Sequence, residues 1–513
     1  MDMDSKKNKI PIDKTIFVGA LLLMVLVSVA CLVFPDEALG VSSILRNFVI
    51  KKFDWFFLIF GLGVFVICVF VGGSRFGHIR LGGDGEKPAY SFYSWLSMIF
   101  FSAIGSSAIL WSVCEPLNYI ASPPFGYAPY SLEAFNIAIP YGLFHWGPFA
   151  WSFYALSGLV VSYYFLVLCR KNLKISGVMS ELIGERAAFG AVGKGIDIAT
   201  IFATFCTFAP ALGLGVPLLT VLICKLTGLP NTTELQMLVL MIWMFIFSIN
   251  VYRGLDKGIK ILSDINMYLL IAVILLIFLA GGPRYILSAS VEEFGTLATH
   301  FIRMNSYSDV FGGGTFAQDW TVFYWSWWVA SVPFMAIFIA RVSKGRTIRE
   351  LIFGIMGAGS AGTMTIFCVL GNYALKLQHS GVVDLAKINM EQGSDYAVLA
   401  MLDQLPFKNL IIIGVILLYF VFLATCVDSC AFTMGCIASR EMTDNSQPAR
   451  WNRLSWSIAI AVLGVAVLKL GGGIQALQTF VIVVGLPSAI LVIAMTILLY
   501  RWLKEHRETP SKK

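Results

Sequence analysis

Aromatic residues at helical spacing are the feature of this sequence that most clearly suggests chemistry. Intervals of 4, 4, 3 and 4 residues, which place side chains on one face of a helix, separate Trp320, Tyr324, Trp328, Ser331 and Met335. Trp146, Trp151 and Tyr154 form a second group, in which the last two lie three residues apart. Several electron-rich rings without a companion carboxylate suit a cation that cannot donate hydrogen bonds, such as a quaternary ammonium.

The depth of these rings distinguishes them from ordinary interfacial tryptophans. The chain has 13 tryptophans, and membrane proteins usually place tryptophan in belts at the lipid headgroups. From Ala134 to Trp146 a helix rises about 18 Å, and from Trp320 to Trp328 it rises about 12 Å. We therefore expect Trp146 and Trp328 to lie inside the hydrocarbon region.

Three carboxylates fall inside or at the edge of apolar segments, where a charge is costly and marks a functional candidate. Glu115 and Asp428 lie deep in their segments, and Asp264 lies at the start of another. The alternative is that each carboxylate bonds backbone amides at a helix break. Glu115 and Asp428 are coupling candidates, and neither has the pattern of a clear proton carrier.

The composition places most of the chain in lipid. Of 513 residues, 58% are hydrophobic and 13% are charged, and the mean hydropathy is +0.79, whereas soluble domains carry about 25% charged residues. The net charge of +7 is spread over short groups, unlike the clustered basic face that nucleic acid requires. Ten cysteines without a CxxC pair indicate core residues, with neither a disulfide framework nor a metal site.

Twelve segments are apolar over the length of about 20 residues that a membrane-spanning helix needs. They are approximately 15–34, 55–72, 91–120, 134–168, 196–224, 235–252, 265–281, 320–340, 351–375, 410–435, 451–470 and 479–502. Twelve spans put both termini on one side, and 27 of the 37 lysines and arginines fall on that side. Because basic residues favour the cytoplasm, we predict a multi-pass protein of the cell inner (plasma) membrane with both termini cytoplasmic.

Two interruptions in these segments indicate a repeat. The small-residue run 103–108 contains Gly105, Ser106 and Ser107, and Pro333 interrupts the eighth segment. Close helix packing is the alternative for the small residues. Paired breaks are typical of transporters built from inverted repeats, which hold the solute at the repeat interface.

These breaks predict a division of the chain into six parts. The parts are a cytoplasmic tail (1–14), two peripheral helices with a cytoplasmic loop (15–90), a five-helix repeat (91–281), an extracellular connection (282–317), a second five-helix repeat (318–502) and a second tail (503–513). In the connection, Val291, Phe294, Leu297 and Phe301 suggest an amphipathic helix. Such a helix could contact a neighbouring subunit or simply cover the protein's own helices.

Three long motifs resemble the signatures of the betaine/carnitine/choline transporter family. They are FHWGP at 144–148, WTVFYWSWW at 320–328 and IARVSKGRTIRE at 339–350. The resemblance extends over all twelve segments. It implies the fold of the sodium-coupled leucine transporters, with a 5+5 inverted repeat, a homotrimer and a substrate site in an aromatic box.

The resemblance also assigns roles to aromatic positions. Trp146, Trp151, Tyr154 and Trp328 match the box, and Trp327 and Trp320 match rings along the access path.

Three nearby positions bear on the choice of substrate. Asn118 stands where related carnitine exchangers have tyrosine, and Ser331 stands where the family usually has tryptophan or tyrosine, so one wall of the box is expected to be missing. Met335 matches the carnitine exchangers. No aspartate lies in 103–107, where choline-preferring relatives are expected to have one, so amides and the Ser106 and Ser107 hydroxyls favour a carboxylate-bearing zwitterion over choline.

By the same resemblance, two sodium sites are expected in weakened form. Phe101 and Ile104 would provide carbonyls, with residues 422–426 completing the first site; there Phe422 and Thr425 fit, but Cys426 replaces serine and sulfur is a poor sodium ligand. At the second site Thr204 fits, but Phe208 replaces threonine. Asn266 agrees with sodium-coupled members and replaces the arginine of sodium-independent exchangers.

These observations favour a secondary transporter of betaine- or carnitine-type zwitterions, with sodium symport slightly ahead of sodium-independent exchange with a product. Choline uptake is a further alternative. No cofactor is expected beyond sodium as a possible coupling ion. An enzyme would need a convergent catalytic set, and the five histidines are scattered, while a channel would line a continuous polar pore.

Overall fold

The structure is a computed structural model that describes residues 11–83, 85–104, 107–170, 172–253, 255–440, 447–469 and 474–508. Within these ranges the chain is almost entirely helical and contains no β-strand. Two isolated β-bridges join Ile12 to Ser439 and Arg80 to Thr347. The predicted all-α fold is confirmed.

Twenty-one α-helices follow one another along the described chain. The first eleven are α1 (Lys14–Val33), α2 (Pro35–Gly73), α3 (Phe92–Ile104), α4 (Ser107–Ala121), α5 (Leu132–His145), α6 (Pro148–Ser162), α7 (Ile175–Ile183), α8 (Glu185–Ala188), α9 (Ala191–Thr227), α10 (Thr233–Arg253) and α11 (Leu255–Gly281). The others are α12 (Pro283–Ser306), α13 (Phe323–Ala330), α14 (Val332–Val342), α15 (Ile348–Ile366), α16 (Asn372–His379), α17 (Leu385–Glu391), α18 (Ser394–Leu402), α19 (Lys408–Ile437), α20 (Arg450–Lys469) and α21 (Ile474–Glu508).

Nine of the described helical segments are long and apolar enough to cross a membrane, or eleven if each of two bent helix pairs counts as one span. The sixth predicted span lies within the 21-residue helix α10, which is apolar but is not one of these nine segments. The polytopic architecture is therefore confirmed, and the count of twelve stays a prediction.

Both predicted interruptions are bends. The axes of α3 and α4 meet at 57°, and the residues between them, Gly105 and Ser106, lie outside the described residues. The second pair, made of Ala317–Ala330 and α14, bends by 48°. Pro333 occupies the first turn of α14, where its missing N–H leaves no hydrogen bond unmade.

The bent pairs open the two predicted five-helix halves, at equivalent positions. The two halves pack against each other, because α6 of the first contacts α14 and α15 of the second. Helix α3 packs against α11 and α19. This arrangement brings the breaks and the aromatic residues of both halves to the middle of the bundle.

The connecting helix α12 is longer than the sequence pattern predicted. Leu297 is buried, whereas Val291 is 75% exposed and Phe294 is 46% exposed. The four apolar residues therefore do not share one buried face. The carboxyl of Glu293 faces inward instead and accepts a hydrogen bond of 2.9 Å from Asn372 Nδ2.

Candidate functional site

A break between α5 and α6 places Trp146. Helix α5 ends at His145, and α6 begins at Pro148 after Gly147. A Cβ at Gly147 would lie 2.3 Å from the Leu143 carbonyl oxygen and 2.7 Å from Met364 Cε, so only glycine fits there. The helix is thus interrupted at Trp146 and Gly147 and resumes as the helix that carries Trp151 and Tyr154.

The four predicted box residues come together as one buried group, which we call the aromatic cluster: Trp146, Trp151, Tyr154 and Trp328. The Trp328 ring lies at the centre, with centroid distances of 5.9 Å to Trp146, 5.4 Å to Trp151 and 4.8 Å to Tyr154. All four side chains are at most 4% exposed. Because the rings touch one another, a trimethylammonium group would have to separate them to be surrounded.

Hydrogen bonds fix the indole edges of the cluster. Trp328 Nε1 donates to the His145 carbonyl at 3.1 Å, and Trp151 Nε1 donates to Thr363 Oγ1 at 3.4 Å. The Thr363 hydroxyl in turn donates to the Trp146 carbonyl at 2.5 Å. With their N–H groups bonded to the protein, the rings keep their π faces for other contacts.

Helix α15 makes close packing of Trp151 possible. A Cβ at Gly359 would lie 2.4 Å from the Trp151 ring. Phe100 of α3 also stacks on this ring, with centroids 5.8 Å apart at an angle of 12°. Thr363 and Gly359 were not predicted, because neither belongs to the motifs quoted above.

The predicted access-path rings lie between the cluster and a large cavity. Trp327 contacts Trp146 with centroids 5.9 Å apart. Trp320 lines a cavity of about 800 Å³ on the side of the molecule where α4 ends. An ion pair of 2.8 Å between Arg46 and Asp319 lies in its wall.

A second cavity of about 320 Å³ reaches the cluster from the opposite side. Phe100, Trp151 and Gly359 line its inner end, and Phe92, at the start of α3, lines it farther out. Its wall is almost entirely apolar. The aromatic cluster therefore lies between two cavities that approach it from opposite sides of the bundle.

Ser331 and Met335 lie at the second bend. The Ser331 hydroxyl donates to the Trp327 carbonyl at 3.1 Å, and the Met335 N–H bonds the Ser331 carbonyl at 3.0 Å. Both side chains are buried.

Asn118 lies away from the cluster. It lines the large cavity, and its Oδ1 accepts a hydrogen bond of 3.1 Å from Asn389 on α17. Asn118 therefore connects two helices at the cavity wall and is not a wall of the box in this conformation.

At the first bend, Ser107 is the one predicted substrate contact among the described residues. Its hydroxyl donates to the Ile104 carbonyl at 2.6 Å across the break. Gly105 and Ser106, predicted with it, lie outside the described residues.

The prediction that no carboxylate accompanies the aromatic rings is wrong. Glu115 is fully buried and accepts hydrogen bonds from Trp146 Nε1 at 2.7 Å, from the Tyr119 hydroxyl at 2.8 Å and from the Tyr324 hydroxyl. Its partners are aromatic side chains, not the backbone amides that the alternative interpretation required. A carboxylate in α4 thus sets the orientation of a cluster ring.

The chain of hydrogen bonds continues beyond Tyr119. The Tyr119 hydroxyl lies 2.9 Å from His145 Nδ1, and His145 Nε2 lies 3.1 Å from Thr321 Oγ1. We call Glu115, Tyr119, His145, Tyr324 and Trp146 the carboxylate network. Tyr119 follows Glu115 by four residues and His145 precedes Trp146, but a single sequence does not pair them.

Asp428 has a different partner. Arg453 Nη2 lies 2.7 Å from Asp428 Oδ1, with side-chain exposures of 1% and 0%. We call these two residues the buried ion pair. The interpretation in which Asp428 bonds backbone amides is therefore also wrong. Arg453 was not predicted as its partner, because it lies 25 residues away on α20.

The predicted sodium ligands of α3 and α19 are neighbours. Phe101 and Phe422 are in edge contact at 4.7 Å, and the Cys426 thiol points to the Ser102 carbonyl at 3.8 Å. Asn266 Nδ2 donates to Thr425 Oγ1 at 3.2 Å. Ser102 and Ser429, which were not predicted, share a hydrogen bond of 2.8 Å beside them.

The second predicted sodium position has a local partner. The Thr204 hydroxyl bonds the Thr200 carbonyl of its own helix at 2.9 Å, and Phe208 packs against Phe334 at 5.1 Å. Among the described residues, no group of three or more His, Cys, Asp or Glu side chains could hold a metal ion.

Comparison with known proteins identifies the family. Residues 15–508 match the family described as BCCT, betaine/carnitine/choline family transporter. Among solved structures, the chain is similar to a Na⁺-coupled sialic acid symporter in a substrate-bound outward-open state, at 12% identity over 86% of this chain and 85% of that one, with a TM-score of 0.46. The family match covers nearly the whole chain, so this protein belongs to the betaine/carnitine/choline transporter family.

Proposed function

We propose that this protein is a carrier for a zwitterion with a quaternary ammonium group, of the betaine or carnitine type. The observation that carries the proposal is the aromatic cluster, in which three rings surround Trp328 at 4.8 to 5.9 Å. A quaternary ammonium cannot donate hydrogen bonds, and each ring face offers it about 0.5 to 2 kcal/mol in a desolvated site.

The position of the cluster between two cavities supports alternating access. A solute entering the cavity of about 800 Å³ would pass Trp320 and Trp327 before it reaches Trp146. The apolar cavity beside Trp151 offers an exit on the other side. The two bent helix pairs lie between the cavities, where carriers of inverted-repeat architecture hold their solute.

The carboxylate of the solute would point to the break before α4. A helix N-terminus presents free backbone N–H groups and a partial positive charge to an anion. Ser107 is at that N-terminus, and residues 103–107 contain no acidic side chain that would repel the carboxylate. This chemistry favours a zwitterion over choline, which has no carboxylate.

For coupling, sodium symport is the first candidate, with the Thr425 hydroxyl and backbone carbonyls of Phe101, Ile104 and Phe422 as ligands. Cys426 weakens this site, because sodium prefers oxygen ligands. Exchange without sodium is the second candidate. It is favoured by the hydrogen bond from Asn266 Nδ2 to Thr425 Oγ1, which places the positive end of an amide where the cation would bind.

The proposed setting is the plasma membrane, with both termini in the cytoplasm and three copies of the chain forming a trimer. Helix α12 supports the trimer, since Leu287, Val291 and Phe294 leave apolar side chains exposed along it. The mass of the particle in a native-like bilayer tests this assembly.

Uptake into proteoliposomes tests the function. Labelled glycine betaine, carnitine, γ-butyrobetaine and choline are each offered with sodium or potassium outside, and with or without unlabelled solute inside. We expect saturable uptake of at least one zwitterion, faster with sodium for a symporter or dependent on internal solute for an exchanger. Absence of uptake for all four solutes would contradict the proposal, and flux that does not saturate or show counterflow would indicate a channel.

A further inference from the structure

Within the described part of the chain, the buried carboxylate Glu115 has no charged partner. None of the ion pairs among the described residues includes it. Its donors are two phenols and an indole, all neutral. A buried charge without a counter-ion is costly inside a membrane, so such a group is stable only if its donors satisfy the anion or if it can take up a proton.

The geometry distinguishes the two carboxylate oxygens. Oε1 accepts from Trp146 and Tyr324, whereas Oε2 has one partner, the Tyr119 hydroxyl. A carbonyl oxygen has room for two donors, so Oε1 can keep both bonds in either protonation state. Oε2 is therefore the atom that can carry a proton without breaking a hydrogen bond.

The rest of the carboxylate network allows the same change. Tyr119 has one hydroxyl hydrogen and two neighbours, Glu115 Oε2 at 2.8 Å and His145 Nδ1 at 2.9 Å. With Glu115 ionised, His145 Nδ1–H donates to Tyr119, Tyr119 donates to Glu115, and Thr321 donates to His145 Nε2. With Glu115 protonated, every one of these bonds reverses, and His145 donates from Nε2 to Thr321. Both arrangements satisfy the Glu115 carboxyl, the Tyr119 hydroxyl and both ring nitrogens of His145, and they differ by one proton.

The other titratable groups around Glu115 are compatible with both hydrogen-bond arrangements. Three of them interact directly with Glu115: Cys114 and Tyr119 on its own helix, and Tyr324 on α13. His145 and Tyr141 on α5 contact Tyr119. The helices α16, α17 and α18 also pack on α4. Their charged residues, which make no described ion pair with Glu115, include Lys376, Lys387, Glu391 and Asp395.

We infer that Glu115, Tyr119 and His145 form a proton-binding site, with Oε2 of Glu115 as the proton acceptor. The Trp320 ring lies between this site and the large cavity, because it lines that cavity and contacts Tyr119 at 4.9 Å. The other carboxylate oxygen, Oε1, accepts from Trp146 Nε1, so the site adjoins the aromatic cluster. The inference does not depend on the identity of the solute.

Infrared difference spectroscopy on the protein in bilayers tests this site directly. Spectra are taken from about pH 5 to about pH 9, the range in which imidazole groups and buried carboxyl groups titrate in proteins. We expect a carbonyl-stretch band of a protonated carboxylic acid to appear as the pH falls, and to be lost in Glu115→Gln. Tyr119→Phe removes one donor to the carboxylate and should shift the midpoint by about one pH unit or more.

Glu293→Gln is the matched control. This second buried carboxyl lies on α12, and burial raises the pKa of Glu293 to about 8, so its band titrates in the same range. Glu293→Gln should remove that contribution and leave the Glu115 band.

A Glu115-dependent band that is absent at every pH, or present without change at every pH, would overturn the inference. If Tyr119→Phe leaves the midpoint of the Glu115 titration unchanged, Tyr119 and His145 are not part of the proton-binding site. Solute uptake is measured separately, so failure of the carrier proposal remains distinguishable.

Discussion

Two buried carboxylates in this protein are stabilised in opposite ways. In the carboxylate network, Glu115 accepts hydrogen bonds from neutral aromatic donors and contacts a ring of the aromatic cluster. In the buried ion pair, Asp428 on α19 lies 2.7 Å from Arg453 on α20. Both carboxylates are 0% exposed.

Because of this difference, the carboxylate network can change its charge, whereas the buried ion pair cannot. Loss of the charge on Asp428 would leave a guanidinium buried and unpaired, which is strongly unfavourable. Loss of the charge on Glu115 leaves only neutral neighbours. The ion pair therefore holds α19 to α20, while the carboxylate network is free to respond to a proton or to a cation near the cluster.

The same chemical change at both sites gives the largest expected contrast. Asp428→Asn should lower the free energy of unfolding by about 3 kcal/mol or more, because it leaves Arg453 without a counter-charge. Glu115→Gln should lower it by less than about 1 kcal/mol, since the amide oxygen keeps two donors. Thermal unfolding in detergent measures both.

A double variant serves as the control for that contrast. Asp428→Asn with Arg453→Met removes both charges and should recover much of the lost stability. Equal destabilisation by Asp428→Asn and Glu115→Gln would show that the two carboxylates are structurally equivalent and would remove the contrast.

The aromatic cluster should determine the affinity for the solute. Trp328→Ala removes the ring that contacts all three others and should raise the apparent KM for a quaternary-ammonium solute at least about fivefold. Trp55→Ala is the control, because Trp55 is 57% exposed on the surface of α2. Unchanged uptake kinetics in Trp328→Ala would contradict the assignment of the cluster.

The smallest expected effect concerns the proposed sodium site. Cys426→Ser replaces sulfur by oxygen and should strengthen the dependence of uptake on sodium. Cys430→Ser, one helical turn farther along α19, is the matched control and should leave this dependence unchanged. If both variants behave like the unmodified protein in sodium and in potassium, exchange becomes the preferred mode.

Elements with strong periodic signals could be predicted from the sequence, and contacts between distant helices could not. Apolar runs predicted the helices, and Pro333 with the small residues around Ser107 predicted both bends. Helical spacing and the family motifs predicted the four residues of the aromatic cluster. These signals are local, and they survive in a single sequence.

The polar partners depend on pairings across the bundle. Glu115 meets Tyr324 across 209 residues, and Asp428 meets Arg453 across 25. Depth in the membrane marked both carboxylates as unusual but did not show that one has neutral partners and the other a charged one. The hydrogen bond of Asn118 could not be predicted for the same reason, since its partner Asn389 is 271 residues away.

A copy of the solute that lacks the positive charge tests the central claim most directly. Glycine betaine and 3,3-dimethylbutanoate share a shape and a carboxylate, but in the second a carbon replaces the charged nitrogen. If rings of the aromatic cluster bind the cation, quenching of tryptophan fluorescence should give at least about tenfold weaker binding for the compound without the cation, a difference that Trp328→Ala reduces. Carnitine and its carbon analogue replace this pair if carnitine is the solute that is taken up. Equal affinity for the two compounds of a pair would contradict the account.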